Sequence, residues 1–349
     1  MIPRPYCLAA FAAFITSSTE AQSSYSLVDS FTTSNFFREF TFIERDPTTP
    51  NADGSHGFVH YVDGAAANRE GLAGFTQDAI YLGVDYKSIT TTGRGSIRME
   101  SKKTWSNGLF IADIAHMPAS SANSCGLWPA YWTYSPGSWP DNGEIDIIEG
   151  VNTAQGNSAV LHTAASCEVT NTGTRTTTLF NGLNCQGNIG CRQDSQDKNT
   201  WGEGFNQVGG GIYAMEWTDQ RISTWFFPRH DPIARQIIAG SNMNQTIANT
   251  SSWGEPLANF VGGGGMCSFG DTIKKQAIVF NINFCGDWAG KEWENNEVCS
   301  ALGPSCSAYV GANPSVFREA YWLVRSVKVY QKPVDYLRRE GKRGIRFSA

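Results

Sequence analysis

Short runs in which apolar and polar residues alternate, or in which aromatic and β-branched residues gather, recur along the chain between clusters of Gly, Asn, Ser and Pro. They are Phe36–Ile43, Gly57–Val62, Ala79–Tyr86, Ser96–Trp105, Gly108–Ile114, Glu144–Val151, Ala159–Thr163, Ile212–Thr218, Ile222–Phe227, Gln276–Phe284 and Tyr321–Tyr330. A period of two sends successive side chains to opposite faces of a strand, and the intervening residues supply turns. No window of 12 or more residues carries a 3.6-residue apolar period, so helices are expected to be few and short. The pattern predicts an all-β, many-stranded antiparallel sandwich. With no internal repeat and no linker, one domain is expected from about residue 22 to 331.

Composition supports a packed β domain. Of 349 residues, 41% are hydrophobic and 17% charged, and 36 Gly accompany 11 Trp, 12 Tyr and 20 Phe. The net charge of -5 is uneven: residues 332–349 carry six Lys/Arg against Asp335 and Glu340, which leaves the body clearly acidic. An acidic body lacks the basic stripe that phosphate contacts need, which argues against nucleic acid as a partner. The basic segment 332–349 reads as a solvated tail.

Arg4, the apolar run Tyr6–Ile15 and the small residues up to Ala21 read as a secretory signal, residues 1–21, too short for the ~20 residues of a membrane span. Removing it removes Cys7 and leaves eight of nine Cys, an even number suited to four disulfides in an oxidising compartment. Spacing suggests only two pairs, Cys185 with Cys191 and Cys299 with Cys306. Asn244 and Asn249 begin glycosylation sequons, and the charged C-terminal segment lacks the apolar tail of a lipid-anchor signal, so a freely secreted product is expected.

Several familiar sites drop out. Gly209-Gly-Gly-Ile-Tyr-Ala214 fits a dinucleotide fingerprint in letters, yet it enters a strand-like run and so offers no helix N-terminus to a pyrophosphate. Gly262–Gly265 is not followed by the Lys-Ser/Thr of a phosphate loop. His56 and His60 are four apart, but their surroundings are Gly-rich and strand-like, which argues against zinc. No G-x-S-x-G elbow is present.

The segment that carries chemistry is Trp139-Pro-Asp-Asn-Gly-Glu144-Ile-Asp146-Ile-Ile-Glu149-Gly150. On a strand Glu144 and Asp146 share a face, and a β-bulge at Ile147-Ile148 returns Glu149 to it. Three carboxylates on one face repel, so a purely structural strand avoids the arrangement. A pair of acids with divided roles, nucleophile and proton donor, is what cleavage of a glycosidic bond needs.

Glu144-Ile-Asp146-Ile-Ile-Glu149 matches the E-x-D-x-x-E signature of glycoside hydrolase family 16. Cys125-Gly-Leu-Trp128-Pro-Ala-Tyr-Trp132, Leu161-His162-Thr163, Tyr213–Trp217, Trp225–Arg229 and Phe284–Gly290 resemble its fungal laminarinase-like endo-1,3(4)-β-glucanases. The resemblance runs from about Tyr25 to Gln331 and implies a concanavalin A-like β-jelly-roll whose concave sheet forms a groove for β-glucan. By the same resemblance Glu144 is the nucleophile, Glu149 the acid/base and Asp146 the residue that orients and tunes them. Trp132, Trp139 and Trp288 line sugar subsites, His162 sits near the nucleophile, and Arg98 contacts sugar hydroxyls. Trp217, Trp225 and Trp322, mid-strand, are expected in the core. A carboxyl separation of about 5–5.5 Å would predict retention of configuration. His60 departs from the pattern, standing where such relatives carry Asn. No cofactor is required, no metal or calcium site is indicated, and a monomer without membrane contact is expected. Two other readings are a glucan transglycosylase, since a sugar can replace water in the second step, and a glucan-binding lectin, which would have no use for both Glu144 and Glu149.

Overall fold

The computed structural model describes residues 24–45, 54–120, 123–170, 172–175, 178–241, 247, 250–262 and 267–332. The expected signal, Cys7, the sequon asparagines Asn244 and Asn249 and the expected tail beyond Lys332 lie outside these residues. Two antiparallel sheets dominate the described chain. The first runs Val169–Thr170, Ala258–Gly262, Arg221–Pro228, Gly211–Trp217, Gly108–His116, Trp322–Gln331, Ile80–Leu82, Ala73–Phe75, with Ser26–Thr32 also paired to Trp322–Gln331. The second runs Thr178–Asn181, Cys191–Ser195, Ser158–His162, Glu144–Glu149, Leu127–Tyr134, Gln276–Phe284, Arg98–Trp105, Phe40–Phe42. Val59–Tyr61 and Arg94–Ser96 form a small parallel ribbon. No described helix is long and apolar enough to cross a membrane.

The sheets meet over one core. Met99, Tyr131, Ile145, Ile278 and Phe280 from the second sheet share a buried cluster with Phe110, Met215, Trp217, Phe226, Trp322 and Val327 from the first. Leu109, Ile111, Ile212, Trp225 and Phe227 belong to a separate cluster, with Ala234 and Ile237 of the helix Pro232–Ser241. Strand Gly108–His116 therefore feeds both clusters, which is why it reads as an almost unbroken apolar run instead of an alternation. Trp217, Trp225 and Trp322 are all buried, as expected of mid-strand tryptophans. The second sheet keeps its polar residues on the face turned away from the core, and that face carries the site.

Most anticipated strands are present with shifted ends, and Gln276–Phe284 matches residue for residue. Phe36–Ile43 is the exception. Phe36–Glu39 is a helical turn before the strand Phe40–Phe42, and Phe36 and Phe40, one helical turn apart, stack at 4.1 Å in the core. The helices are short, but they are more numerous than the weak helical periodicity suggests. The longest described one, Pro232–Ser241, has 10 residues. The fingerprint-like Gly209–Ala214 indeed leads into a strand, Gly211–Trp217.

All eight remaining Cys are paired: Cys125–Cys299, Cys167–Cys267, Cys185–Cys191 and Cys285–Cys306. The Cys185–Cys191 expectation holds, whereas Cys299 and Cys306 do not pair with each other. Cys125 and Cys285 flank the adjacent ends of two neighbouring strands, where Leu127 faces Phe284 and the Cys285 amide donates to the Gly126 carbonyl at 2.9 Å. The segment after Cys285 folds across those ends, so its two cysteines bond to the strand ends beneath them. Sequence proximity gave the wrong partner because the contact is set by the sheet.

Candidate active site

The strand Glu144–Glu149 is half-buried at its two ends and buried between them, and its pairing register is interrupted once. Its pairing with Ser158–His162 jumps from Asp146 opposite Val160 to Glu149 opposite Ser158, and its pairing with Leu127–Tyr134 shifts between Asp146 and Ile148. One extra residue is thereby absorbed, and Glu149 rejoins the face of Glu144 and Asp146. Asn157, itself buried, holds the irregularity: its Oδ1 accepts from the Glu149 amide at 3.0 Å and its Nδ2 donates to the Ile147 carbonyl at 2.8 Å. Gly143, at φ +74°, supplies the turn into the strand.

Each outer carboxylate rests on an indole N–H. Trp139 Nε1 donates to Glu144 Oε2 at 2.9 Å, and Trp128 Nε1 donates to Glu149 Oε1 at 2.7 Å. Trp139 is exposed, while Trp128 lies half-buried on the strand Leu127–Tyr134. Asp146 is only 2% exposed, and its Oδ2 has no hydrogen-bond partner. His162 faces the cluster: its Nε2 lies 3.5 Å from Asp146 Oδ2 and 3.9 Å from Glu144 Oε1, while its Nδ1 donates to the Gly187 carbonyl at 2.8 Å. Burial lowers the His162 pKa and so favours the neutral ring, in which Nδ1–H is on Gly187 and a bare Nε2 faces Asp146. The disulfide Cys185–Cys191 closes the loop that holds this ring. Gly190 of that loop has φ +64°, and a Cβ there would sit 2.8 Å from the imidazole.

Burial is also the leading cause of the carboxyl shifts. It pushes Glu144 up to about 7, against the Trp139 hydrogen bond and the Arg98 charge, which pull down. It pushes Glu149 up to about 7 as well, against the Trp128 hydrogen bond, with the Glu144 charge adding to the rise. Asp146 is raised well above the usual range, by burial first and then by Glu149 and Glu144. Glu144, Asp146 and His162 place ligand atoms within 4.8 Å of one another, a spacing that a cation or a proton could bridge.

The floor beside this strand is aromatic and polar. Trp132 stands opposite Asp146 and donates Nε1 to Asn281 Oδ1 at 2.9 Å. Arg98 is 8% exposed: its Nε and Nη2 both reach Glu100 Oε1, at 2.9 and 2.8 Å, and its guanidinium lies 5.0 Å from the Trp132 ring and 5.4 Å from Tyr134. Arg98 thus braces the two rings from a buried position. Trp288, half-buried, meets Trp128 edge to face at 5.9 Å. Every anticipated site residue lies on or beside this one face. Trp128, Asn157, Asn281 and the Glu100–Tyr134 pair are additions, and the alternation Trp128, Ala130, Trp132, Tyr134 is the sequence signal for the first and last of these. His56 and His60 do not converge: His56 binds Asp287 at 2.5 Å, and His60 belongs to the parallel ribbon.

Residues 48–330 match the family model described as the XgeA-like catalytic GH16 domain. The chain belongs to this GH16 family. It is 41% identical over 320 residues to the endo-1,3(4)-β-glucanase of Arthroderma benhamiae, covering 89% of this chain and 65% of that protein. It is 38% identical over 336 residues to the endo-1,3(4)-β-glucanase xgeA of Emericella nidulans, covering 93% and 50%. The chain thus spans about half to two thirds of the length of these relatives. Laminarinase 16A from Phanerochaete chrysosporium, solved with 6-O-glucosyl-laminaritriose in donor and acceptor sites, is 38% identical. It covers 88% of this chain and 100% of its own at a TM-score of 0.79. An elongating GH family 16 β-1,3-glucosyltransferase shares the same identity and coverage at a TM-score of 0.76. These neighbours have the same antiparallel jelly-roll as this GH16 chain.

Proposed function

We propose that this GH16 chain is a secreted, retaining endo-1,3(4)-β-glucanase. The observation that carries the reading is the bulge that sets Glu149 on the face of Glu144 and Asp146, each glutamate anchored by its own indole N–H. Glu144 is the nucleophile: its carboxylate attacks the anomeric carbon while Glu149 gives its proton to the leaving oxygen, and Glu149 then takes a proton from the water that releases the sugar. Asp146, raised by burial and by both glutamates, keeps a proton within the cluster. Trp132, Trp139 and Trp288 offer flat faces to the apolar faces of glucose, and no metal is needed for these steps. The four disulfides and the fungal relatives support an extracellular setting.

The test is product analysis on laminarin, lichenan and cellulose, with the first-formed anomer followed by NMR. Cleavage of the first two into oligosaccharides that appear first as the β-anomer is expected. An α-anomer formed first would overturn retention, and no cleavage of any glucan would overturn the hydrolase reading. Transglycosylation is the second reading, favoured by the solved glucosyltransferase at the same 38% identity. It predicts products longer than the starting oligosaccharide.

A further inference from the structure

The sheet brings a nitrogen to the carboxylates. Glu144 pairs directly with His162 on the neighbouring strand, and Asp146 pairs with Val160 on the same strand. His162 Nε2 stands 3.5 Å from Asp146 Oδ2 and 3.9 Å from Glu144 Oε1. Asp146 is 2% exposed, and Oδ2, the atom that meets the imidazole, has no hydrogen-bond partner. A buried carboxylate oxygen without a partner is costly, and two glutamates nearby make it more so. The imidazole is fixed from behind: its Nδ1–H is on the Gly187 carbonyl at 2.8 Å, in the loop that Cys185–Cys191 closes. A carbonyl on the far nitrogen is the support that metal-bound histidines ordinarily have. All five histidines lie among the described residues. Among those residues, Glu144, Asp146 and His162 are the one group of three or more His, Cys, Asp or Glu whose ligand atoms converge, within 4.8 Å.

We propose that Glu144, Asp146 and His162 form an inhibitory binding site for a zinc ion. One imidazole nitrogen and two carboxylate oxygens are a donor set that zinc takes, with a fourth position left to water. Tetrahedral ligands about 2.1 Å from zinc stand about 3.4 Å apart, close to the 3.5 Å between His162 Nε2 and Asp146 Oδ2. Glu144 keeps Oε2 on Trp139 and has Oε1 towards His162, so a small movement brings it into the set. Calcium and magnesium ask for roughly six or more oxygens, and three ligands of which one is nitrogen do not suit them. Zinc gives the orphaned Oδ2 a partner and offsets the repulsion among the carboxylates. Glu149, held by Trp128, stays outside the set. The consequence for activity rests on the glycosidase reading: a Glu144 carboxylate bonded to zinc is no longer a nucleophile, so zinc acts as a reversible brake. Spacing along the chain does not reveal the site, because its nitrogen comes from the next strand.

In the experiment the full chain, stripped of metal by a chelator, is titrated with zinc chloride by isothermal calorimetry at neutral pH in a buffer that does not bind zinc. Laminarin cleavage and melting temperature are followed over the same zinc range. The parent is expected to take up one zinc per chain and to melt higher as zinc is added. With laminarin well below KM, half-inhibition should fall at the calorimetric Kd, and a chelator should restore activity. His162→Ala should bind zinc at least about a hundredfold more weakly and lose the thermal gain. His116→Ala, whose imidazole stands 3.6 Å from Glu319 away from the cluster, should bind zinc as the parent does. If His162→Ala does not fold, Asp146→Asn carries the test with the same expected loss. No uptake by the parent, or uptake that the folded variant retains in full, overturns the site. Uptake that depends on His162 but leaves laminarin cleavage untouched overturns the brake. A parent that cleaves no glucan fails the glycosidase reading, while calorimetry still decides the site.

Discussion

Glu144 and Glu149 occupy near-mirror settings, and what separates them is the charge each one sees. Both are half-buried and both accept an indole N–H; Arg98 acts on Glu144 to favour its ionised form, while Glu149 feels the Glu144 charge, which favours its proton, and His162 and Arg192, which oppose it. Both carboxyls are pushed up to about 7, a range in which one can be ionised while the other keeps its proton, as a nucleophile facing a protonated acid requires. Removing an indole N–H takes a hydrogen bond from a charged form and raises that carboxyl's pKa. Trp139→Phe should then shift the acidic limb of the kcat/KM profile upward and narrow the bell. Trp128→Phe should shift the alkaline limb upward and widen it, each by roughly half to one pH unit. The two profiles changing in the opposite sense would exchange the roles of the glutamates. Glu149→Gln should keep activity toward a 2,4-dinitrophenyl β-laminaribioside, whose leaving group needs no proton, and gain from added azide, while Glu144→Gln should lose activity on every donor.

At the scale of the element, the bulge converts an ordinary strand into a catalytic one, and Asn157 is the side chain that keeps it. Asn157→Ala would leave the Glu149 amide and the Ile147 carbonyl unpaired in a buried place, at a cost of about 1–3 kcal/mol each. We expect a lower denaturation midpoint and a fall in kcat of at least about tenfold, with KM changing less, because glucan still meets Trp132 and Trp288 while Glu149 loses its aim. A destabilised variant with the parent's kcat would show that the bulge holds itself. The bulge is legible in the sequence because three acids on one strand make sense only with an extra residue between the second and third. The strand Leu127–Tyr134 is not, because Pro129 interrupts its pattern. Pro129 is tolerated because Glu149 pairs with Ala130, so at Pro129 only the partner on the other side remains. Phe36–Glu39 misleads for the opposite reason: two phenylalanines four apart serve a helical turn as well as they flank a strand.

Across the whole molecule, the site is a store of buried acid that the fold must hold. Glu144, Asp146 and Glu149 all have folded pKa values raised above their unfolded ones. For Glu144 and Glu149 this stability is fully present below the unfolded pKa near 4.5 and is lost as pH rises through about 7, on the order of a few kcal/mol in total, and Asp146 acts in the same sense. His116 and His162, lowered by burial, act in the opposite sense: the unfolded chain binds their protons more tightly, so their share of stability grows as pH rises towards their unfolded value. Asp78, Asp85 and Asp287, held below the usual range, titrate at lower pH and leave the interval from 5 to 8 unaffected. The carboxyl share can be isolated by comparing the parent with Glu144→Gln/Glu149→Gln, whose amides mimic the protonated acids at every pH. At pH 5 the two should melt within a degree or two of each other. At pH 8, where the parent must bury charge, the inactive variant should melt several degrees higher. Parallel melting curves across that interval would mean that the cluster sheds its charge into water, and the raised pKa values would then have no part in dividing the two glutamates' roles.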